Sequence, residues 1–198
     1  MRRRLFFYIL AIGILINNLA QTALIDRILS SDDIKNSCDL LPNLDVNWPK
    51  NKNIKLIRAG SGGEGRIYVK YRKSHICYKN FYNHNRAKLG VASLLFVQKE
   101  INLYPNLSRY LIIPQVYKKN SSWLKRDYYP KAIKLKMALA TDDLARERYS
   151  ELKDQVLILF EHDSTNEFLA GLYQRIEHKS TNIMWLKKER KFVWIDIF

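Results

Sequence analysis

The chain reads as an α+β domain built on an antiparallel sheet, and three observations lead there. Residues 54–82 hold three short strand-forming runs with turns between them. From Arg86 the apolar spacing switches to the helical period, which returns in two later stretches. Two apolar runs, Ile183–Leu186 and Phe192–Ile195, flank a charged turn near the end of the sequence. Strands, a helix, more strands, then helices and a hairpin is an order that suggests segregated α+β packing with an antiparallel sheet. Length supports one ordinary domain, since the chain has 198 residues.

The first residues read as an address and not as part of that domain. Arg2-Arg3-Arg4 precede an apolar run from Leu5 to Ile16, then a small and polar stretch from Asn17 to Ala23. A basic head followed by a short apolar run fits a secretory signal peptide over residues 1–23. The run is short against the roughly 20 residues that a membrane span needs. Ala20 or Ala23 could end the leader. If the segment is retained and continues to Leu24-Ile25, it becomes a membrane anchor; a structural helix is the further alternative. The expectation is export. Residues 24–53 form an N-terminal extension with a helix-start signal at Ser30-Ser31-Asp32-Asp33 and a loop around Pro42 and Pro49.

The domain proper spans residues 54–198. A strand at Ile54–Ile57 leads into Gly60-Ser-Gly62-Gly-Glu-Gly65, and a strand at Arg66–Tyr71 leads out of it. Glycines at that spacing let a backbone approach phosphates without side-chain clash and aim its N–H groups at them. Because a strand follows the loop, the loop tops a hairpin, which disfavours a dinucleotide-binding strand–helix turn. A mobile hairpin with incidental glycines is the plainer reading. A third strand, Ile76–Tyr82, carries Cys77 and Lys79 on one face by alternation. The helix over Arg86–Leu103 is expected to bury Leu89, Ala92, Leu95, Phe96 and Leu103, and Pro105 ends it. Strands are expected at Leu111–Tyr117 and Ala132–Leu139, and a helix from Leu144 to Phe160. A final helix capped at Ser164 or Thr165 is expected to bury Phe168, Leu172 and Ile176.

With those residues quoted, residues 54–198 resemble the protein-kinase superfamily, most closely the minimal single-domain effector kinases that bacterial pathogens deliver into host cells. The resemblance implies an antiparallel-sheet small lobe over about 54–140 and a strongly reduced helical large lobe over about 141–198. It implies ATP and Mg²⁺ as cofactors, with Gly60, Gly62 and Gly65 cradling phosphates. Ile76-Cys77-Tyr78-Lys79 resembles the Val-Ala-Ile-Lys strand, so Lys79 would neutralise the phosphates and Glu100 on the next helix would pair with it. In Glu177-His-Lys179-Ser-Thr-Asn182, Lys and Asn stand at the family's catalytic-loop offsets. Glu177 would act as base, Lys179 would face the γ-phosphate, and Asn182 with Asp196 would hold Mg²⁺. The chain departs from the pattern at three places. Glu177 stands where the family has Asp, Arg175 where it has His, and Ile197-Phe198 follow Asp196 instead of Phe-Gly. The implied activity is phosphate transfer from ATP to a protein of a host or target cell. A pseudokinase serving as a nucleotide-binding interaction module is the alternative.

Net charge is +15, of which Arg2, Arg3 and Arg4 supply three. That excess favours anionic partners: nucleotide, acidic protein, lipid headgroups or nucleic acid. The basic residues are scattered and no nucleic-acid motif organises them. A basic secreted protein that binds anionic surfaces is therefore a third reading. Membrane contact is expected only through a retained N-terminus. Cys38 and Cys77 could pair or stay free. His75, His84, His162 and His178 have no metal-ligand spacing with them.

Overall fold

The computed structural model describes residues 30–44, 55–61, 64–71, 74–178 and 181–195. It is an α+β fold with a five-stranded antiparallel sheet and a four-stranded sheet. The expected leader over residues 1–23 lies outside the described residues. Among those residues no helix is long and apolar enough to cross a membrane.

The extension folds onto the domain. Helix α1 (Asp32–Leu40) starts at Ser31, whose hydroxyl accepts from the Ile34 N–H, and Asp32 and Asp33 complement the positive helix start. Ile34 is buried, and Asp33 bonds Lys99 at 2.6 Å, which lowers the Asp33 pKa.

The first sheet has strand order β1-β2-β3-β6-β5. Strand β1 is Ile57–Ser61, β2 Gly65–Val69 and β3 Ile76–Phe81; β5 is Val116–Lys119 and β6 Trp123–Asp127. Alternation gives it two faces. Tyr78 and Trp123 pack outward with Leu44, Leu56, Tyr68 and Ile76. Phe81, Val116 and Leu124 turn inward to the main core. Helix α2 (His84–Asn102) begins at Asn83, which caps the Arg86 N–H at 2.7 Å. Gly90 brings α2 close to β3, since a Cβ there would sit 2.8 Å from the Phe81 ring. The helix buries Ala87, Val91, Ala92, Leu94, Phe96, Val97 and Ile101. Its inward face is thus rotated from the expected one, and Leu103 is exposed.

The second sheet has order β4-β9-β8-β7, with β4 Leu111–Ile112, β7 Ile133–Lys134, β8 Ile183–Leu186 and β9 Lys191–Trp194. Its β4–β9 pair is parallel and the others are antiparallel. Three helices complete this half: α3 (Leu135–Thr141), α4 (Asp143–His162) and α5 (Glu167–Glu177). Trp185 and Phe192 lie 4.8 Å apart by ring centroids, and Tyr149 of α4 meets Phe192 edge-on at 5.4 Å. Phe168 of α5 touches Phe96 of α2 at 6.4 Å and stacks on Tyr104 at 5.9 Å. These aromatic pairs carry one core through both halves.

Several sequence expectations change. Of the strand expected at Ile54–Ile57, Ile54 lies outside the described residues and Lys55 and Leu56 are not in a strand; β1 begins at Ile57 and runs through Gly60. Leu111–Tyr117 is split between two sheets. Ala132–Leu139 is a two-residue strand followed by α3, because burying Leu135 and Ala138 needs helical spacing. The N-cap of α5 is Asn166, which accepts from the Phe168 and Leu169 N–H groups, and not Ser164 or Thr165. Neither Cys38 nor Cys77 is in a disulfide; Cys77 is buried and Cys38 half-buried.

Candidate functional site

The inward face of the first sheet buries two cations among apolar side chains. Lys79 on β3 stands opposite Ile67 on β2 and Leu124 on β6. Arg126 on β6 stands opposite Cys77. Cross-strand partners share a face, so Cys77, Lys79, Leu124 and Arg126 all point inward. Lys79 is 3% exposed and Arg126 2%, values that polar side chains reach only with anionic or carbonyl partners.

Lys79 finds such a partner in the glycine loop. Its Nζ donates to Glu64 Oε2 at 2.7 Å and lies 4.7 Å from the Phe81 ring centroid. Glu64 is held through its backbone, because its carbonyl accepts from the Tyr82 N–H at 3.0 Å. Gly65 follows at the point where β2 runs tight against β3. A Cβ there would sit 2.1 Å from the Asn80 carbonyl oxygen. Only glycine fits that approach. Gly60, on the other arm of the hairpin, has nothing within 4 Å of such a Cβ. Gly62 lies outside the described residues.

Glu100, the expected partner of Lys79, is buried near the end of α2, and Lys79 bonds the carboxylate of Glu64. Distances along the elements explain this. Gly90 touches Phe81, from which Glu100 is about 15 Å further along the helix. Lys79 is about 7 Å back along the strand from the same contact.

Arg126 reaches from the first sheet to the second, where its Nη1 donates to the Ile195 carbonyl. The Ile195 N–H in turn donates to the Asn182 carbonyl at 2.9 Å. The β8–β9 hairpin therefore brings the residue preceding Asp196 beside Asn182. Asp196 itself and Lys179 lie outside the described residues. Among the described residues no cluster of three His, Cys, Asp or Glu side chains could hold a metal.

Arg175, in the last turn of α5, places its guanidinium 5.8 Å from the Trp194 ring centroid. Burial lowers its pKa, and the negative charge of Glu64 opposes that shift. Glu177 ends the same helix, but its Oε1 takes Lys153 Nζ of α4 at 2.7 Å. That bond raises the Lys153 pKa. The carboxylate expected to act as base is thus committed to a neighbouring helix.

Sequence reading missed Glu64 and Arg126 as members of this region and named Arg175 only as a departure from the catalytic-loop pattern. Arg126 had a signal, since alternation from buried Leu124 puts it on the inner face. Glu64 had none beyond its place among the glycines. Chemically, the region combines a close-approach loop, a buried ammonium paired with a carboxylate, and a hairpin that ends beside Asn182. Comparison with protein-family models, curated proteins and solved structures found no match for this chain.

Proposed function

We propose that this chain is a minimal kinase-like phosphotransferase that uses Mg-ATP. The observation that carries the reading is Lys79, a buried lysine on the strand that packs against the glycine hairpin. Lysine, a compact charge on a flexible stem, suits contact with a phosphate chain. Glycines at positions 60, 62 and 65 would let a backbone approach phosphate oxygens without side-chain clash. Asn182 and Asp196 offer hard oxygen donors for Mg²⁺, which would neutralise charge on the phosphates when bound. The order of these elements along the chain, and the β1-β2-β3-β6-β5 sheet, support the kinase-like assignment. The expected acceptor is a protein of a host or target cell, reached by export through residues 1–23; the basic leader and the overall positive charge support that part.

A second reading has its own observation. Glu177 is tied to Lys153, and using it as a base requires that ion pair to open. A nucleotide-binding module with little or no turnover fits this geometry.

Thermal unfolding with and without Mg-ATP tests both readings against a basic protein that merely binds anionic surfaces. At a hundred-fold excess over Kd the expected stabilisation is about 2.7 kcal/mol. It should vanish in Lys79→Ala and shrink in Asp196→Ala. Transfer of labelled γ-phosphate to target-cell lysate, lost in Lys79→Ala, identifies the enzyme. Stabilisation without transfer identifies the module. No stabilisation by Mg-ATP removes both.

A further inference from the structure

Where the N-terminal extension meets the domain, the fold encloses a cavity that the phosphotransfer reading does not use. Its walls come from α1, the first turns of α2 and the turn at residues 120–122 that joins β5 to β6. Its volume is about 540 Å³, inside the range of about 300–1,000 Å³ usual for small-molecule sites. Ile34, Ala87, Val91 and Ala92 give it an apolar wall. Hydrogen bonds hold the walls together. The Leu44 N–H donates to the Lys119 carbonyl at 2.7 Å, and the Lys119 N–H donates to the Pro42 carbonyl at 3.2 Å. His84, at the start of α2, has Nδ1 2.7 Å from the Ser121 carbonyl oxygen. A carbonyl oxygen only accepts, so Nδ1 carries the proton and donates.

The lining is positive. Lys35, Lys88 and Lys119 contribute to it, and Asp39 is the one carboxylate among the described lining residues. Lys35 bonds Asp32 at 3.0 Å, whereas Lys119 reaches Asp39 only at 3.9 Å. Three lysines against Asp32 and Asp39 leave a balance of one positive charge. The Asp39 side chain is 83% exposed and that of Lys119 25%, so the carboxylate stands at the outer rim and the ammonium deeper. Cys38 lines the same space. Burial raises its pKa and Asp39 adds to the rise, while the positive charges of Lys119 and Lys88 oppose it. Both ammonium groups therefore act on the space beside that thiol.

We propose that this cavity binds a small organic monoanion, a carboxylate carried on a compact apolar body. The apolar wall receives the body, and Lys88 and Lys119 take the carboxylate. One surplus positive charge matches one carboxylate. An inorganic phosphate dianion exceeds that charge and leaves the apolar wall uncovered. The inference is independent of the phosphotransfer reading and gives the chain a second ligand site, whose walls include α1 of the extension.

Alkylation of Cys38 by iodoacetamide, read by peptide mass, reports occupancy at this place, and isothermal titration gives the affinity. The probes are hexanoate and benzoate. Hexanol supplies the body without charge, hexylamine the body with the opposite charge, and inorganic phosphate the charge without a body. At ten times its Kd, either carboxylate should slow Cys38 alkylation about eleven-fold, because only unoccupied protein reacts. Lys88→Met and Lys119→Met should weaken carboxylate binding about three-fold each and about ten-fold together, the scale of exposed ion pairs. Lys118→Met, exposed on β5 and outside the lining, should leave binding unchanged.

Absence of protection by both carboxylates overturns the proposal. Protection by phosphate equal to that by hexanoate also overturns it, since the site would then read charge alone. Equal protection by hexanol or hexylamine overturns it for the opposite reason. If Lys118→Met loses as much binding as Lys88→Met, diffuse surface charge and not the cavity holds the anion, and the proposal falls.

Discussion

At Gly65 an added methyl group would meet the Asn80 carbonyl oxygen at 2.1 Å and the Asn80 carbonyl carbon at 2.9 Å. Both are backbone atoms of a paired strand and cannot turn aside. At Gly60 the same methyl meets nothing within 4 Å. The two glycines look alike in the sequence, yet they tolerate change differently. Gly65→Ala should lose about 1–3 kcal/mol, the usual cost of overpacking, in urea unfolding. Gly60→Ala should stay within about 0.5 kcal/mol of wild type, as surface substitutions do. Equal losses would show that the hairpin does not approach β3 as described. Lys79 and Cys77 were legible as inward-facing residues because alternation along a strand needs no knowledge of neighbours. The partner of Lys79 was not legible, because distance in sequence does not order candidates that lie on different elements.

Among the elements, helix α4 depends on a cap that also serves the second sheet. Asp142 accepts from the Ala145 N–H at 3.3 Å and from Trp185 Nε1 at 3.2 Å, and Lys187 Nζ lies 3.3 Å away. Burial raises its pKa, but these hydrogen bonds outweigh burial and hold it below the ordinary value of 3.8. A carboxyl depressed in the folded state contributes stability above its unfolded pKa and loses it as pH falls through the folded one. Asp142→Asn keeps a capping oxygen and removes the charge. It should melt below wild type at neutral pH, and the gap should close on acidification below about pH 4. A gap independent of pH would show that the charge contributes nothing. The sequence announced α4 through its periodicity and α5 through Phe168, Leu172 and Ile176. It did not announce β6, whose Lys125, Arg126 and Asp127 look like a surface turn. Strand β6 is central only because β3 and β5 flank it, and pairing with them satisfies its backbone.

Across the whole molecule, the two sheets are joined by the aromatic core and by Arg126. Its buried guanidinium links β6 to the Ile195 carbonyl, one residue before Asp196. Arg126→Met keeps much of the apolar volume and removes the donors. It should lose about 1.5–3 kcal/mol, as for a hydrogen bond from a charged group. Amide exchange at Ile195 should quicken while that of Tyr68 on β2 stays unchanged. Uniform quickening at both sites would mean global destabilisation and no local strut. Composition, turn residues and apolar period were enough to determine the α+β class, the glycine hairpin, three main helices and the terminal hairpin. Each of those rests on interactions between residues close in sequence. Tertiary structure alone decided that Glu64 neutralises Lys79, that Glu177 turns to Lys153, and that Arg126 spans two sheets. Those choices match charged side chains with acceptors brought near by folding, and a linear spacing carries no measure of that distance.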